Sequence, residues 1–284
     1  MKKHIFKLLI CSLLILLCSF SYTQPTRASL TAKDGADIHY TVYGEGKKCL
    51  VFLHGWICDQ SYWKEQIEPF SKTYQVVLID LAGHGKSSKG NREKWTIPSF
   101  AEDVEAVIDK LEYEDLYLVG HSMGAMVAIE TAVRLGKSPT QLIAVDYLKD
   151  TVKAVPLEFV KQSMQPFEAN FAASTKAFVG FMFTEGAKEE LKQWILDDMS
   201  SSPSDVGISA ATDLASRDFT KTMDKLRDKG IPSYLINTDM RPTNKAYFEE
   251  RGFKLAVLPN SHHFFMMEKP EEFNTQLKLF LQEH

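Results

Sequence analysis

The sequence predicts an α/β protein, with a mostly parallel central sheet, helices on both faces and a helical cap insertion. Three observations predict it. From Lys48 onward, short β-branched runs that end in turn residues alternate with helical stretches. The runs are continuously apolar, as strands buried on both faces are, rather than alternating apolar with polar. One of them, in "LYLVGHSMGAMVAIE" from Leu116 to Glu130, ends in Gly-His-Ser-Met-Gly and restarts at once as an Ala/Ile/Val-rich helix.

Taken in order, the chain opens on Lys2, Lys3, His4 and Lys7, followed by "LLICSLLILLCSFS". That apolar run is too short for a comfortable membrane span and is flanked as an export signal is. Residues 1–21 are therefore expected to be a signal peptide, cleaved after Ser21 or after Ala28, with an uncleaved N-terminal membrane anchor as the alternative, and the protein to be exported to a periplasm or secreted. Membrane contact is expected only through this segment. Cys11 and Cys18 fall within it, so only Cys49 and Cys58 remain in an oxidising compartment. Two unpaired thiols are expected there.

Next, "ASLTAKDGADIHYTVYGEG" alternates around a "KDG" turn and reads as an antiparallel hairpin on the sheet edge. The strands that follow are "CLVFLHG", "YQVVLIDLAG", "LYLVGHS", "QLIAVDY", "PSYLINTD" and "FKLAVLPN". Helices are expected to begin near Ser61, Ser99, Met123, Arg217, Asn244 and Pro270. Between residues 149 and 216 the alternation breaks: this stretch is helical, rich in Phe and Met, and carries no strand signal. It reads as a cap inserted between a first core part, 29–148, and a second, 217–284.

With 44% hydrophobic residues, 25% charged residues and a formal net charge of −4, the 284-residue chain has the composition of an ordinary globular protein. No basic excess is present to hold phosphate backbones, so nucleic acid is not an expected partner.

The Gly-His-Ser-Met-Gly segment carries the chemistry. A serine hydroxyl is a weak nucleophile and must be exposed, positioned and set beside a base. In Gly-x-Ser-x-Gly the two glycines allow a sharp strand-to-helix turn that pushes the serine to the top of the sheet. Gly120, Ser122 and Gly124 meet that demand, and the helix starting at Met123 aims its N-terminal N–H groups where negative charge would develop. Ser122 is the expected nucleophile.

Together with "FLHGW" (Phe52 to Trp56), "DLAGHGKS" (Asp80 to Ser87) and "NSHHFFMMEKPEEF", this segment resembles the α/β-hydrolase fold family from about Ala28 to the C-terminus. The resemblance implies an oxyanion hole built from the backbone N–H groups of Trp56 and Met123. It implies a histidine base five residues before a glutamate, which His263 satisfies relative to Glu268, while His262 stands where the family usually has glycine. His54 and His84 are expected to brace their loops, Asp80 its own turn, and His121 to fill a variable position.

For the triad acid the resemblance points to the loop after the seventh strand, here "INTDMRPTN", where Asp239 is the available carboxylate. That loop is short by a residue or two, and Arg241 occupies the place where counting from Pro232 would put the acid. Asp146, at the end of "LIAVDY", is the rival; Asp239 is preferred. The paired His262 and His263 lack carboxylates or cysteines at ligand spacing, so no metal is expected, and no cofactor is needed.

The implied activity is hydrolysis of a carboxylic ester or lactone through an acyl-enzyme on Ser122. Serine at the elbow argues against dehalogenase or epoxide hydrolase chemistry, which in this fold uses aspartate. Carbon–carbon bond hydrolysis and perhydrolysis use the same elbow, and a non-catalytic small-molecule binding protein is the alternative of another class. The Phe, Met and Trp content of the insertion suggests an apolar acyl or aryl group.

Overall fold

A computed structural model describes residues 24–147, 153–240 and 242–283. The expected signal segment and Arg241 lie outside the described residues. The strands are β1 (Thr26–Thr31), β2 (Asp37–Tyr43), β3 (Lys48–Leu53), β4 (Gln75–Ile79), β5 (Asp115–His121), β6 (Gln141–Val145), β7 (Ser233–Thr238) and β8 (Phe253–Leu258). The helices are α1 (Lys64–Ser71), α2 (Ile97–Ile108), α3 (Met123–Arg134), α4 (Leu157–Ala169), α5 (Phe171–Val179), α6 (Glu189–Ser201), α7 (Ser204–Ser216), α8 (Thr220–Asp228), α9 (Lys245–Glu249), α10 (Phe265–Glu268) and α11 (Pro270–Leu281).

One eight-stranded sheet runs in the order β1-β2-β4-β3-β5-β6-β7-β8. The hairpin β1–β2 sits at one edge and pairs antiparallel with β4, while every pair from β4 to β8 is parallel. Successive residues of a strand face opposite sides, and the core divides accordingly. Val51, Leu53, Val77, Ile79, Leu116 and Leu118 pack with Phe100, Val104 and Met126 of α2 and α3. Their neighbours Leu50, Phe52, Val76, Leu78, Tyr117 and Val119 pack with Phe70, Phe273 and Leu277 of α1 and α11. Burial on both faces is why these strands read as unbroken apolar runs.

Helix starts differ from the sequence reading by a few residues, for capping reasons. α2 begins at Ile97 rather than Ser99 because Thr96 is the N-cap: its hydroxyl accepts from the Ser99 N–H, and the Ser99 hydroxyl accepts from the Thr96 N–H. Near Ser61 a short 3-10 turn, Gln60–Trp63, capped by Asp59, precedes α1. The second core part regains helix at Thr220, where the Asp218 carboxylate accepts from the Thr220 N–H.

Between β6 and α8 lie the helices α4 to α7, whose buried residues Phe171, Val179, Ile195 and Met199 join the α1/α11 side of the core. Cys49 and Cys58 are buried and unpaired, and burial pushes the Cys49 thiol up to about 12.

Candidate active site

At the end of β5 the chain turns through Ser122 at φ 53, ψ −118, a left-handed conformation that costs a side-chain-bearing residue energy. Its N–H donates to the Val145 carbonyl at 2.9 Å, and its own carbonyl accepts from Ala125 N–H at 3.0 Å, so both sides of the turn are pinned. The flanking glycines are required by space. A Cβ on Gly120 would stand 2.1 Å from the Gly124 carbonyl oxygen, and one on Gly124 would stand 2.4 Å from that of His54. Both obstacles are backbone, so neither can swing away.

His263 lies in the loop between β8 and α10, at the same end of the parallel sheet, and lines the same cavity as Ser122. Its Nδ1 hydrogen-bonds the Asp146 carboxylate, which fixes Nδ1 as the protonated nitrogen and leaves Nε2 as the lone-pair nitrogen. Asp146 follows β6 at φ 43. Its N–H donates to the Ile236 carbonyl at 2.8 Å, and its second carboxylate oxygen accepts from the Thr238 hydroxyl at 3.3 Å. Burial by itself would raise the Asp146 pKa, but the hydrogen bond and charge of His263 outweigh it and hold the carboxyl below its usual range.

This corrects the expectation for Asp239, whose carboxylate does not face His263. It is exposed and accepts from the N–H groups of Asn260 at 2.8 Å and Ser261 at 3.2 Å, which lower its pKa. The reason lies in the register. β7 and β8 pair to their last residues, Thr238 opposite Leu258, so the two loops leave side by side and Asp239 meets bare main-chain donors of its neighbour. Asp239 braces the loop that carries His263, and Asp146, one strand inward, reaches its ring.

His121 has a part that its sequence position concealed. Its Nε2 hydrogen-bonds the His263 carbonyl at 2.9 Å and the two rings lie 4.5 Å apart, tying the elbow to the base loop. Burial, reinforced by His263, pushes the His121 pKa down to about 3, so the ring is neutral and donates from Nε2. His262 accepts the His263 N–H on its Nδ1 at 2.8 Å, which shapes the same loop.

The loop after β3 supplies the other wall. The Leu81 N–H donates to His54 Nε2 at 3.0 Å, so His54 carries its proton on Nδ1 and donates it to the Gly55 carbonyl at 2.8 Å. That carbonyl belongs to the peptide group whose N–H is Trp56's, so His54 fixes the direction in which Trp56 can donate. Neither the Trp56 nor the Met123 N–H has a hydrogen-bond partner among the described residues. Asp80 accepts from the N–H groups of Gln60 at 2.8 Å and Lys86 at 3.0 Å, and His84 bonds the Ala82 carbonyl at 3.0 Å. Both brace their turns.

Ser122, His263 and Trp56 open into a cavity of about 390 Å³. Its far walls are Met164 and Phe167 of α4, Phe178 of α5, Met199 of α6 and Leu214 of α7, and among the described residues no Lys, Arg, Asp or Glu lines it. Ser163 is the one hydroxyl these helices contribute, and it is turned to its own helix, bonding the Val160 carbonyl at 2.7 Å.

Comparison with known proteins shows the fold and the family. The chain is 23% identical over 288 residues to "Epoxide hydrolase 4" of Mus musculus, covering 91% of this chain and 80% of that protein. The solved esterase EaEST from Exiguobacterium antarcticum matches with a TM-score of 0.80 at 21% identity, covering 91% of this chain and 100% of that one. The enol-lactonase from Burkholderia xenovorans LB400 matches at 0.77 and 20%, covering 90% and 100%. A model of the alpha/beta hydrolase family matches residues 50–276. With that match spanning most of the chain, over this sheet and this elbow, the protein belongs to the alpha/beta hydrolase family.

Proposed function

We propose that the protein is a serine hydrolase that cleaves carboxylic esters or lactones with an uncharged, apolar acyl part. The observation that carries this is that Ser122, His263 with its ring held by Asp146, and Trp56, whose N–H has no hydrogen-bond partner among the described residues, line one cavity. Ser122 Oγ attacks the acyl carbon while His263 Nε2 takes the hydroxyl proton. The carbonyl π electrons move onto oxygen, which the Trp56 and Met123 N–H groups receive. Collapse re-forms the carbonyl, breaks the bond to the leaving oxygen and returns the proton to it from His263. Water, deprotonated by the same imidazole, then releases the carboxylic acid and regenerates Ser122. Asp146 stays ionised throughout and holds the ring in the tautomer this requires.

A serine nucleophile also bears on the epoxide hydrolase name of the mouse relative. Attack of a serine hydroxyl on an epoxide carbon leaves an ether, which water does not cleave under these conditions, so the cycle would stop after one turnover. An acyl-enzyme ester is cleaved by water activated at His263. The neutral walls support a neutral acyl group, since a charged one would enter an apolar cavity without a counter-ion.

A fluorophosphonate probe tests the reading: it labels Ser122 in the wild type and fails to label Ser122→Ala. Folded wild-type protein that resists labelling refutes it in favour of a non-catalytic binding protein. We propose in addition that an export signal is removed at Ser21 rather than Ala28. Thr26, Arg27 and Ala28 pair with Val42, Thr41 and Tyr40, and the later cut would strip half of β1.

A further inference from the structure

The Trp56 side chain is gripped by the inserted helices. Its indole Nε1–H donates to the Gly207 carbonyl of α7 at 2.7 Å. Its ring meets Phe167 of α4 and Phe171 and Phe178 of α5 edge to face, at centroid distances of 5.9, 6.1 and 6.1 Å. The next residue, Ile57, sits at φ 48, a strained conformation for a β-branched side chain, and its carbonyl accepts from the Ser202 hydroxyl, between α6 and α7, at 3.1 Å. The approach is close enough to demand a glycine in α7: a Cβ on Gly207 would stand 2.6 Å from the Phe171 ring and 3.0 Å from the Ile57 side chain.

We infer that the inserted helices, through Trp56 and Ser202, position the oxyanion-binding N–H of Trp56. This rests on the serine hydrolase reading and adds a residue-level dependence to it. The peptide group that would donate to the oxyanion has two anchors. On its carbonyl side, His54 holds Gly55 from the core. On its N–H side, the Cα of Trp56 is fixed by a side chain clasped by α4, α5 and α7, and the strained turn at Ile57 is held by Ser202. Strained backbone persists only where its surroundings over-determine it. Withdrawal of the insertion therefore lets the loop relax and swings the Trp56 N–H away from the developing charge. The oxyanion hole is complete only while these helices are seated, so water reaching an open site meets an incompetent catalyst. Trp56 and Ser202 are in this sense positioning residues; the catalytic contact is main chain.

The experiment uses the full-length protein and two variants. Trp56→Phe keeps an aromatic ring and removes the bond to Gly207, while Ser202→Ala removes the hold on Ile57 from a side chain outside the acyl cavity. With p-nitrophenyl butyrate, each variant is expected to lose roughly tenfold in kcat, and Ser202→Ala, which lies outside the acyl cavity, to keep KM within about twofold of wild type, because a displaced transition-state donor leaves ground-state binding intact. Affinity for an alkyl trifluoromethyl ketone, which forms a reversible tetrahedral adduct with serine, is expected to fall by the same factor as kcat. The inference is overturned if both variants keep kcat within about twofold of wild type, or if kcat falls while the ketone binds as before. Should Trp56→Phe fail to fold, Ser202→Ala decides alone. Absence of fluorophosphonate labelling in the wild type would instead refute the serine hydrolase reading, so the two failures are distinct.

Discussion

His263 turns its Nδ1 to Asp146, which stands after β6, and away from Asp239, which stands after β7 and binds the main chain of the loop His263 sits on. The two carboxylates thus divide the work of orienting His263. Asp146 fixes the ring, and Asp239 fixes the loop.

The division separates their variants. Asp146→Asn is expected to lower kcat by about 10⁴, the loss seen when a triad imidazole is held in the wrong tautomer. Asp239→Asn retains one acceptor for its two N–H donors and is expected to cost only a fewfold in kcat and to lower stability slightly. Steady-state kinetics with a p-nitrophenyl ester, run beside urea unfolding of both variants, checks the pair; the reverse ranking would return the acid to Asp239.

Ser122 holds a left-handed conformation that glycine adopts freely. Ser122→Gly is therefore expected to raise stability by about 1 kcal/mol while abolishing turnover and probe labelling. A melting temperature below that of the wild type would show that the elbow stores no strain. By contrast, Gly124→Ala drives a methyl group into the His54 carbonyl and is expected to yield little folded protein, measured as soluble yield and circular dichroism.

Burial pushes both His84 and His121 down to about 3, while in the unfolded chain each titrates near its ordinary value of about 6.5. Below that value the unfolded state takes up protons that the folded state refuses, so the native state weakens as pH falls. The contribution is complete above pH ~6.5 and declines by about 1.4 kcal/mol per histidine for each unit on the way down to the folded values. Urea midpoints at pH 7 and pH 5 are expected to differ clearly, with His84→Phe reducing the difference. A flat profile would mean that these rings are protonated in the fold.

The acyl cavity predicts the substrate profile. Across p-nitrophenyl esters of growing chain length, kcat/KM is expected to rise by roughly threefold to fourfold per methylene until the cavity is filled, following about 0.8 kcal/mol for each buried CH₂. Succinyl and aminoacyl esters are expected to react poorly, since among the described residues no Lys, Arg, Asp or Glu lines the walls to receive them. Preference for a charged acyl group would contradict the apolar lining.

The elbow was legible in the sequence because it is local. Gly120, Ser122 and Gly124 are close in the chain, and the collisions that exclude other residues there come partly from the turn itself. The parallel strands were legible for a related reason: burial on both faces leaves an unbroken apolar run, whatever the strands' order in the sheet. Tertiary structure alone decided which carboxylate meets His263, because Asp146 and Asp239 both follow parallel strands. Which one meets the imidazole depends on the backbone at Asp146 and on the Asn260 and Ser261 donors that capture Asp239. It also decided what surrounds Trp56, whose indole partner Gly207 is 151 residues away. Periodicity marks which face of a helix is apolar, but only packing fixes which distant apolar face it meets, and here that choice sets what clasps the Trp56 side chain.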